Sequence, residues 1–170
     1  MFELGQSRKT AAIRTSKCVC FFCIGDSMDK FMIEALKEAK KAYKKNEVPI
    51  GAIIVKDNKI IARAYNKKEK NNIATHHAEI LAINKACRKI KNWRLNDCTL
   101  YVTVEPCVMC CGAIIQSRIK KVVYGISNKN YGGIESIATI FDNTNISIEK
   151  GIMQEECLAI LQKFFNEKRN

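Results

Sequence analysis

Residues 106–110, Pro-Cys-Val-Met-Cys, constrain the fold of this chain more than any other segment. A β-rich run, 98–104, leads into Pro106, and an apolar run at helical spacing, 107–117, leads out of it. Proline suits the first position of a helix, where an amide hydrogen would be unpaired anyway. The segment therefore predicts strand, turn and helix, with Cys107 and Cys110 one turn apart and both sulfurs aimed at one point. The helix N-terminus also lowers thiolate pKa through its dipole. On its own, such a pair reads equally well as a redox couple or as half of a zinc site.

His77-Ala78-Glu79 separates the two readings. The chain holds two histidines, His76 and His77, and only His77 stands two residues before the glutamate. His77 offers a third ligand from the start of a second helix, 78–91. Nothing supplies a fourth at this spacing, and three protein ligands with one open position is the catalytic zinc arrangement. Glu79 can then face the metal's water without ligating the metal and move its proton. A core histidine beside an unrelated cysteine pair is the plainer alternative, but the joint occurrence disfavours it. Spacing alone leads to a catalytic zinc hydrolase.

Hydrophobic periodicity lays out the rest. Residues 29–45 repeat apolar positions at helical spacing, with lysines opposite. The β-rich runs 50–56 and 59–66 flank Asp57-Asn58 and read as a hairpin, followed by a polar loop at 67–74. A buried strand is expected at 121–125. Gly132-Gly133 should then break the chain ahead of a short helix and a fifth strand, and 154–168 is a final amphipathic helix. The late β-α-β alternation implies parallel neighbours, whereas the hairpin is antiparallel. The expected fold is α/β: one mixed five-stranded sheet with helices on both faces, a three-layer α/β/α sandwich.

A length of 170 residues suits one domain, or one domain and a tail. Met28 opens the first helix, so 28–170 is read as the domain and 1–27 as a poorly ordered leader. The leader resembles a weak signal peptide, but its apolar core is short, Glu3 is early and no clean cleavage site follows. Its cysteines, Cys18, Cys20 and Cys23, lack a nearby histidine and a fourth ligand. Nine cysteines is an odd count, which fits free thiols in a reducing, cytoplasmic compartment, with Cys87, Cys98, Cys111 and Cys157 in the core. No apolar run approaches the ~20 residues of a membrane-spanning helix. The net charge is +12, mostly carried beyond the leader. That suits an anionic partner, nucleic acid before membrane surface, although a lysine-rich genome gives the same excess.

From about residue 28 to the end the chain resembles the bacterial-type tRNA adenosine deaminases. The likeness is carried by His77-Ala78-Glu79, by the run from Leu100 to Cys110, and by Gly112-Ala113-Ile114 and Val122-Val123-Tyr124-Gly125. Glu47-Val48-Pro49-Ile50-Gly51, Ala64-Tyr65-Asn66 and the ending with Phe164-Phe165 extend it. The resemblance implies a cytidine-deaminase-like fold and conversion of the wobble adenosine of a tRNA anticodon to inosine. It implies one Zn2+ per subunit on His77, Cys107 and Cys110, with Glu79 as proton shuttle and water attacking C6 of adenine. Asn66, Val48, Pro49 and Asn128 would meet the substrate. Lys67, Lys68, Arg118, Lys120, Phe164, Phe165 and Arg169 would meet the anticodon stem-loop of a tRNA bound by a homodimer.

Two segments depart from the bacterial pattern. Ala74-Thr75-His76 replaces the usual Pro-Thr-Ala, and Ser127-Asn128-Lys129-Asn130-Tyr131-Gly132-Gly133 replaces a loop that carries aspartate. Both look more like the catalytic subunit of the eukaryotic heterodimeric enzyme, which leaves homodimer and heterodimer open. The competing functions are a free-base or nucleoside deaminase for guanine or cytosine, and a non-catalytic RNA-binding partner subunit.

Overall fold

The computed structural model describes the backbone of residues 22–169, with side chains from residue 29 onward. It runs α1 (Phe22–Tyr43), β1 (Gly51–Lys56), β2 (Lys59–Tyr65), α2 (Lys68–Asn71), α3 (Ala78–Ile90), β3 (Cys98–Val104), α4 (Val108–Gln116), β4 (Lys121–Ile126), β5 (Ser147–Lys150) and α5 (Gln154–Arg169). The strands form one sheet in the order β2-β1-β3-β4-β5. β1 is antiparallel to β2 and β3, while β3, β4 and β5 run parallel. This is the expected mixed sheet. The hairpin turns through Asp57 and Asn58, both at positive φ, as a two-residue turn matched to strand twist requires.

Successive strand residues feed opposite faces. On one face Ile54, Leu100, Val102, Val122 and Tyr124 pack against Ala78, Ala82 and Ala86 of α3 and Ile114 of α4. On the other, Ile53, Tyr101 and Val123 meet Phe31, Met32 and Ala35 of α1 and Cys157, Ile160 and Leu161 of α5. Tyr43 and Glu167 join the two outer helices through a hydrogen bond of 2.5 Å. α1, α2, α3 and α4 end in the same way. Asn46, Asn72, Lys91 and Arg118 each take positive φ, and paired backbone bonds close the last turn.

Three details differ from the expectations. The first helix is described from Phe22 rather than from residue 29, because a single helical glycine, Gly25, costs only about 1 kcal/mol and does not stop it. The polar loop holds the short helix α2. The helix expected after Gly132-Gly133 is absent, and residues 132–145 form turns. There the amides of Ile134, Glu135 and Ser136 converge on the Glu105 carboxylate, and the residues beyond make turn bonds, Ile137 to the Gly132 carbonyl oxygen and Ile140 to that of Gly133, in place of helical ones. Residues 1–21, most of the expected leader with Cys18 and Cys20, lie outside the described residues, as does the side chain of Cys23.

α1 sits directly on the start of β1. A Cβ at Gly51 would fall 2.1 Å from the Ala35 carbonyl oxygen and 2.4 Å from the Ala39 nitrogen, backbone atoms that have nowhere to go. Gly51→Ala should therefore cost about 2–3 kcal/mol. A thermal melt should show a drop on the order of 5–10 °C.

Candidate active site

The parallel strands β3 and β4 end at the same edge of the sheet, where α/β folds place their ligands. Beyond β3 the chain passes Glu105 and Pro106, and Cys107 takes the extended N-cap position of α4. His77 takes the same position on α3. Its Nδ1 lies 3.6 Å from the sulfurs of both Cys107 and Cys110. The three ligand atoms fall within 4.8 Å of one another, and no other such group occurs among the described residues. His76 turns away, its Nδ1 lying 2.8 Å from Nδ2 of Asn71.

One imidazole nitrogen and two sulfurs form a donor set suited to zinc. The hydrogen bond with Cys110 pushes the Cys107 thiol down to about 4, with His77 adding to the effect, so Cys107 is held as the thiolate that binds metal. Glu79 is 3% exposed, and its Oε2 is buried with no hydrogen-bond partner. Burial raises its pKa above the usual carboxylate range, which makes the carboxylate a stronger proton acceptor than an exposed one. An orphaned oxygen beside three converging ligands fits a metal with one open position and a water for Glu79 to serve. Cys111 points away, its Sγ 3.6 Å from the Pro106 carbonyl oxygen, and is buried in the core with Cys98 and Cys157. Cys87 is half-buried.

His77, Glu79 and Cys107 line a cavity of about 630 Å3 whose walls include Val48, Asn66 and Asn128. Pro49 is buried behind that wall, and Ile50 takes the place expected for it. Lys68 and Phe165 also reach the cavity, whereas Lys67 lies against the Tyr65 ring, 5.0 Å from its centroid. Phe164 is 7% exposed and packs edge-on against Tyr43, so its ring is not free to stack on a base; Phe165 is 43% exposed. Arg118 and Lys120 border a separate depression at the far end of α4. Arg169 is exposed at the last position of α5.

Two buried carboxylates hold these walls, and the sequence reading gave neither a role. Glu105 accepts from the backbone nitrogens of Asn128 (2.8 Å), Ile134 (3.0 Å), Glu135 (2.8 Å) and Ser136 (3.2 Å), and from the Ser136 hydroxyl. Burial pushes its pKa up, but the Ser136 hydroxyl and the backbone donors outweigh that and hold it low. Glu47 accepts from Asn66 Nδ2 at 3.3 Å and from the amides of Glu69 and Lys70 at the start of α2. The available signal is a lone carboxylate beside an apolar run, Glu47 ahead of β1 and Glu105 directly after β3, since such a charge is buried only when fully partnered.

Comparison with known proteins gives a consistent result. The family model for MafB19-like deaminases matches residues 26–169. The tRNA-specific adenosine deaminase of Streptococcus pyogenes serotype M1 is 49% identical over 143 residues, covering 82% of this chain and 84% of the relative. A solved structure from studies of A-to-I editing by tRNA:A34 deaminases at the wobble position is 39% identical, with a TM-score of 0.75, covering 78% of this chain and 99% of its own. The guanine deaminase of Bacillus subtilis is 40% identical with a TM-score of 0.56, but covers only 58% of this chain and 64% of its own.

Replacing Glu105 by alanine would leave four backbone amides and a hydroxyl without their acceptor. Each unsatisfied buried group costs about 1–3 kcal/mol. Glu105→Ala should lower the melting temperature by at least about 5 °C and raise hydrogen exchange at residues 128 and 134–136. Glu105→Gln, which keeps an acceptor oxygen, should recover part of both.

Proposed function

The chain belongs to the deaminase family of the tRNA-specific adenosine deaminases, and from that membership we propose that it converts the wobble adenosine of a tRNA anticodon to inosine. The observation that carries the reading is the convergence of His77, Cys107 and Cys110 beside the unpartnered, buried oxygen of Glu79 on the cavity wall. Those three residues hold one Zn2+ per subunit. Zinc bound there supplies Lewis acidity that brings the pKa of a water down toward ~7.

This chain's side chains do the rest. Glu79 takes a proton from the attacking water and passes it to N1 of adenine as C6 becomes tetrahedral. It then moves the second proton to the exocyclic nitrogen, which leaves as ammonia, so adenosine and water become inosine and ammonia. Asn66, held by Glu47, hydrogen-bonds the base; Val48 and Ile50 form an apolar wall, and Asn128 borders the substrate from the β4 side. A cavity of this volume accommodates a nucleoside, and a base inside a stem-loop reaches it only by leaving its stack.

Lys68 and Phe165 lie closest to an incoming loop, and Lys67 and Arg169 add charge nearby. Arg118 and Lys120, at the far end of α4, contact RNA only where a stem or a second subunit reaches them. We assign the deaminase domain to residues 28–170, preceded by a leader over 1–27 whose last residues, from Phe22, continue α1, with the assembly as a homodimer and the compartment as the cytoplasm. The guanine deaminase likeness spans a smaller share of both chains and lends the free-base reading less support. The intact Glu79 disfavours a silent partner subunit.

The decisive assay is inosine formation by the zinc-loaded protein on an anticodon stem-loop, beside free adenine, adenosine, guanine and cytosine. Turnover should be confined to the stem-loop. Turnover of a free base alone would assign the chain to nucleobase chemistry instead. Glu79→Ala should lower kcat by roughly 10²–10⁴-fold with one zinc still bound by metal analysis. Cys107→Ala should lose the zinc itself and melt at a lower temperature.

A further inference from the structure

Tyr131 has a rigid backbone and a bare ring. Its amide donates to the Asn128 carbonyl oxygen at 3.2 Å and to Asn128 Oδ1 at 3.3 Å. Gly132 donates to the same carbonyl at 2.7 Å, and Asn128 is tied to Glu105. Gly132 lies so close that a Cβ there would fall 2.2 Å from the Glu105 carboxylate. The segment is thus fixed on both sides of Tyr131, yet the residue is 67% exposed.

Other exposed or half-exposed aromatic residues of the chain have company. Trp93 carries the Arg94 guanidinium at 4.1 Å, Tyr65 has Lys45 and Lys67 over its ring, and Phe165 packs on Phe164. Among the described residues no ring or cation packs on Tyr131. Tyr131 itself is one of the residues that line the active-site cavity, together with Phe165, Lys68 and Lys129. A single exposed aromatic elsewhere on a surface needs no explanation; one held rigid at the rim of a cavity that takes an extruded base does.

Extruding one base from an anticodon loop strips its neighbours of their stacking partner. Single-stranded RNA recovers that loss on aromatic side chains. Resting on the wobble-adenosine reading, we propose that Tyr131 is a stacking platform for a nucleotide flanking the target adenosine. Lys68 and Lys129 supply the positive charge that holds the adjoining phosphates. Tyr131 thereby selects RNA loops over free nucleosides, acting on substrate binding and not on the chemical step.

The test uses the full zinc-loaded chain and two stem-loops carrying 2-aminopurine immediately 5′ or 3′ of the target adenosine, because stacking quenches that fluorophore. The wild-type protein should quench one of the two. Tyr131→Ala should abolish that quench and raise KM about tenfold or more, with kcat within about twofold. Tyr131→Phe should retain the quench and a near-normal KM, since the ring and not the hydroxyl does the stacking. No turnover of the stem-loop by the wild-type protein would overturn the wobble-adenosine reading, and this assignment with it. Turnover with no quench at either position, or an unchanged quench and KM in Tyr131→Ala, would overturn this assignment alone. So would a change of oligomeric state in Tyr131→Ala without loss of the quench, which would make the ring a protein contact.

Discussion

The Glu105 carboxylate, buried at the end of β3, is the interaction on which the active-site edge depends. Four backbone amides and one hydroxyl converge on it. Removing a carboxylate from water is costly, and only this degree of satisfaction makes the burial tolerable. The same bonds join two regions far apart in sequence. Glu105 precedes Pro106 and the cysteine pair, and its donors lie in the loop that follows β4. The metal ligands and the opposite wall of the cavity are therefore registered to each other through one side chain.

A second carboxylate does the same on the other side. α1 ends when Asn46 turns into positive φ, and this delivers Glu47 into the core. There it takes the Asn66 amide and the first amides of α2. Asn66 is thus oriented by a residue from a different element, and the short helix α2 exists because Glu47 receives its N-terminal donors. The base-binding wall and the loop wall are built by one device, a buried anion gathering backbone N–H groups. The ligand residues use the complementary one. His77 and Cys107 are both N-caps, so each sits in extended backbone with its side chain aimed past the helix end.

These constraints leave rigid ground around the metal ligands and put variability on the rim. Val48 and Ile50 from the connection between α1 and β1, and Leu161 from α5, form an apolar lining. Lys68, Lys129 and Tyr131 border it toward solvent. A base held in such a cavity is shielded from bulk water on several sides, which strengthens the electrostatics of the site. The basic excess of the chain is not gathered at that mouth alone: Lys121 pairs with Glu149 at 2.5 Å and Lys41 with Glu38 at 2.5 Å, and such exposed or partly exposed pairs contribute little to stability.

Sequence pattern specifies the mixed sheet and its long flanking helices, and it groups His77, Glu79, Cys107 and Cys110. Periodicity, turn residues and short-range ligand spacing are local properties, and they survive translation into structure. The segment after Gly132-Gly133 reads as a short helix but forms turns, because the bonds that shape it run to Glu105, about 30 residues upstream, and leave no local trace. Sequence pattern also groups Phe164 with Phe165, and Pro49 with Val48, although one of each pair is buried: adjacent residues share a sequence signal and face different ways. Which lysines reach the cavity, which carboxylates are buried, and the bare position of Tyr131 at the rim are set by tertiary packing. Burial and convergence depend on where distant elements pack, and no window along the chain contains that information.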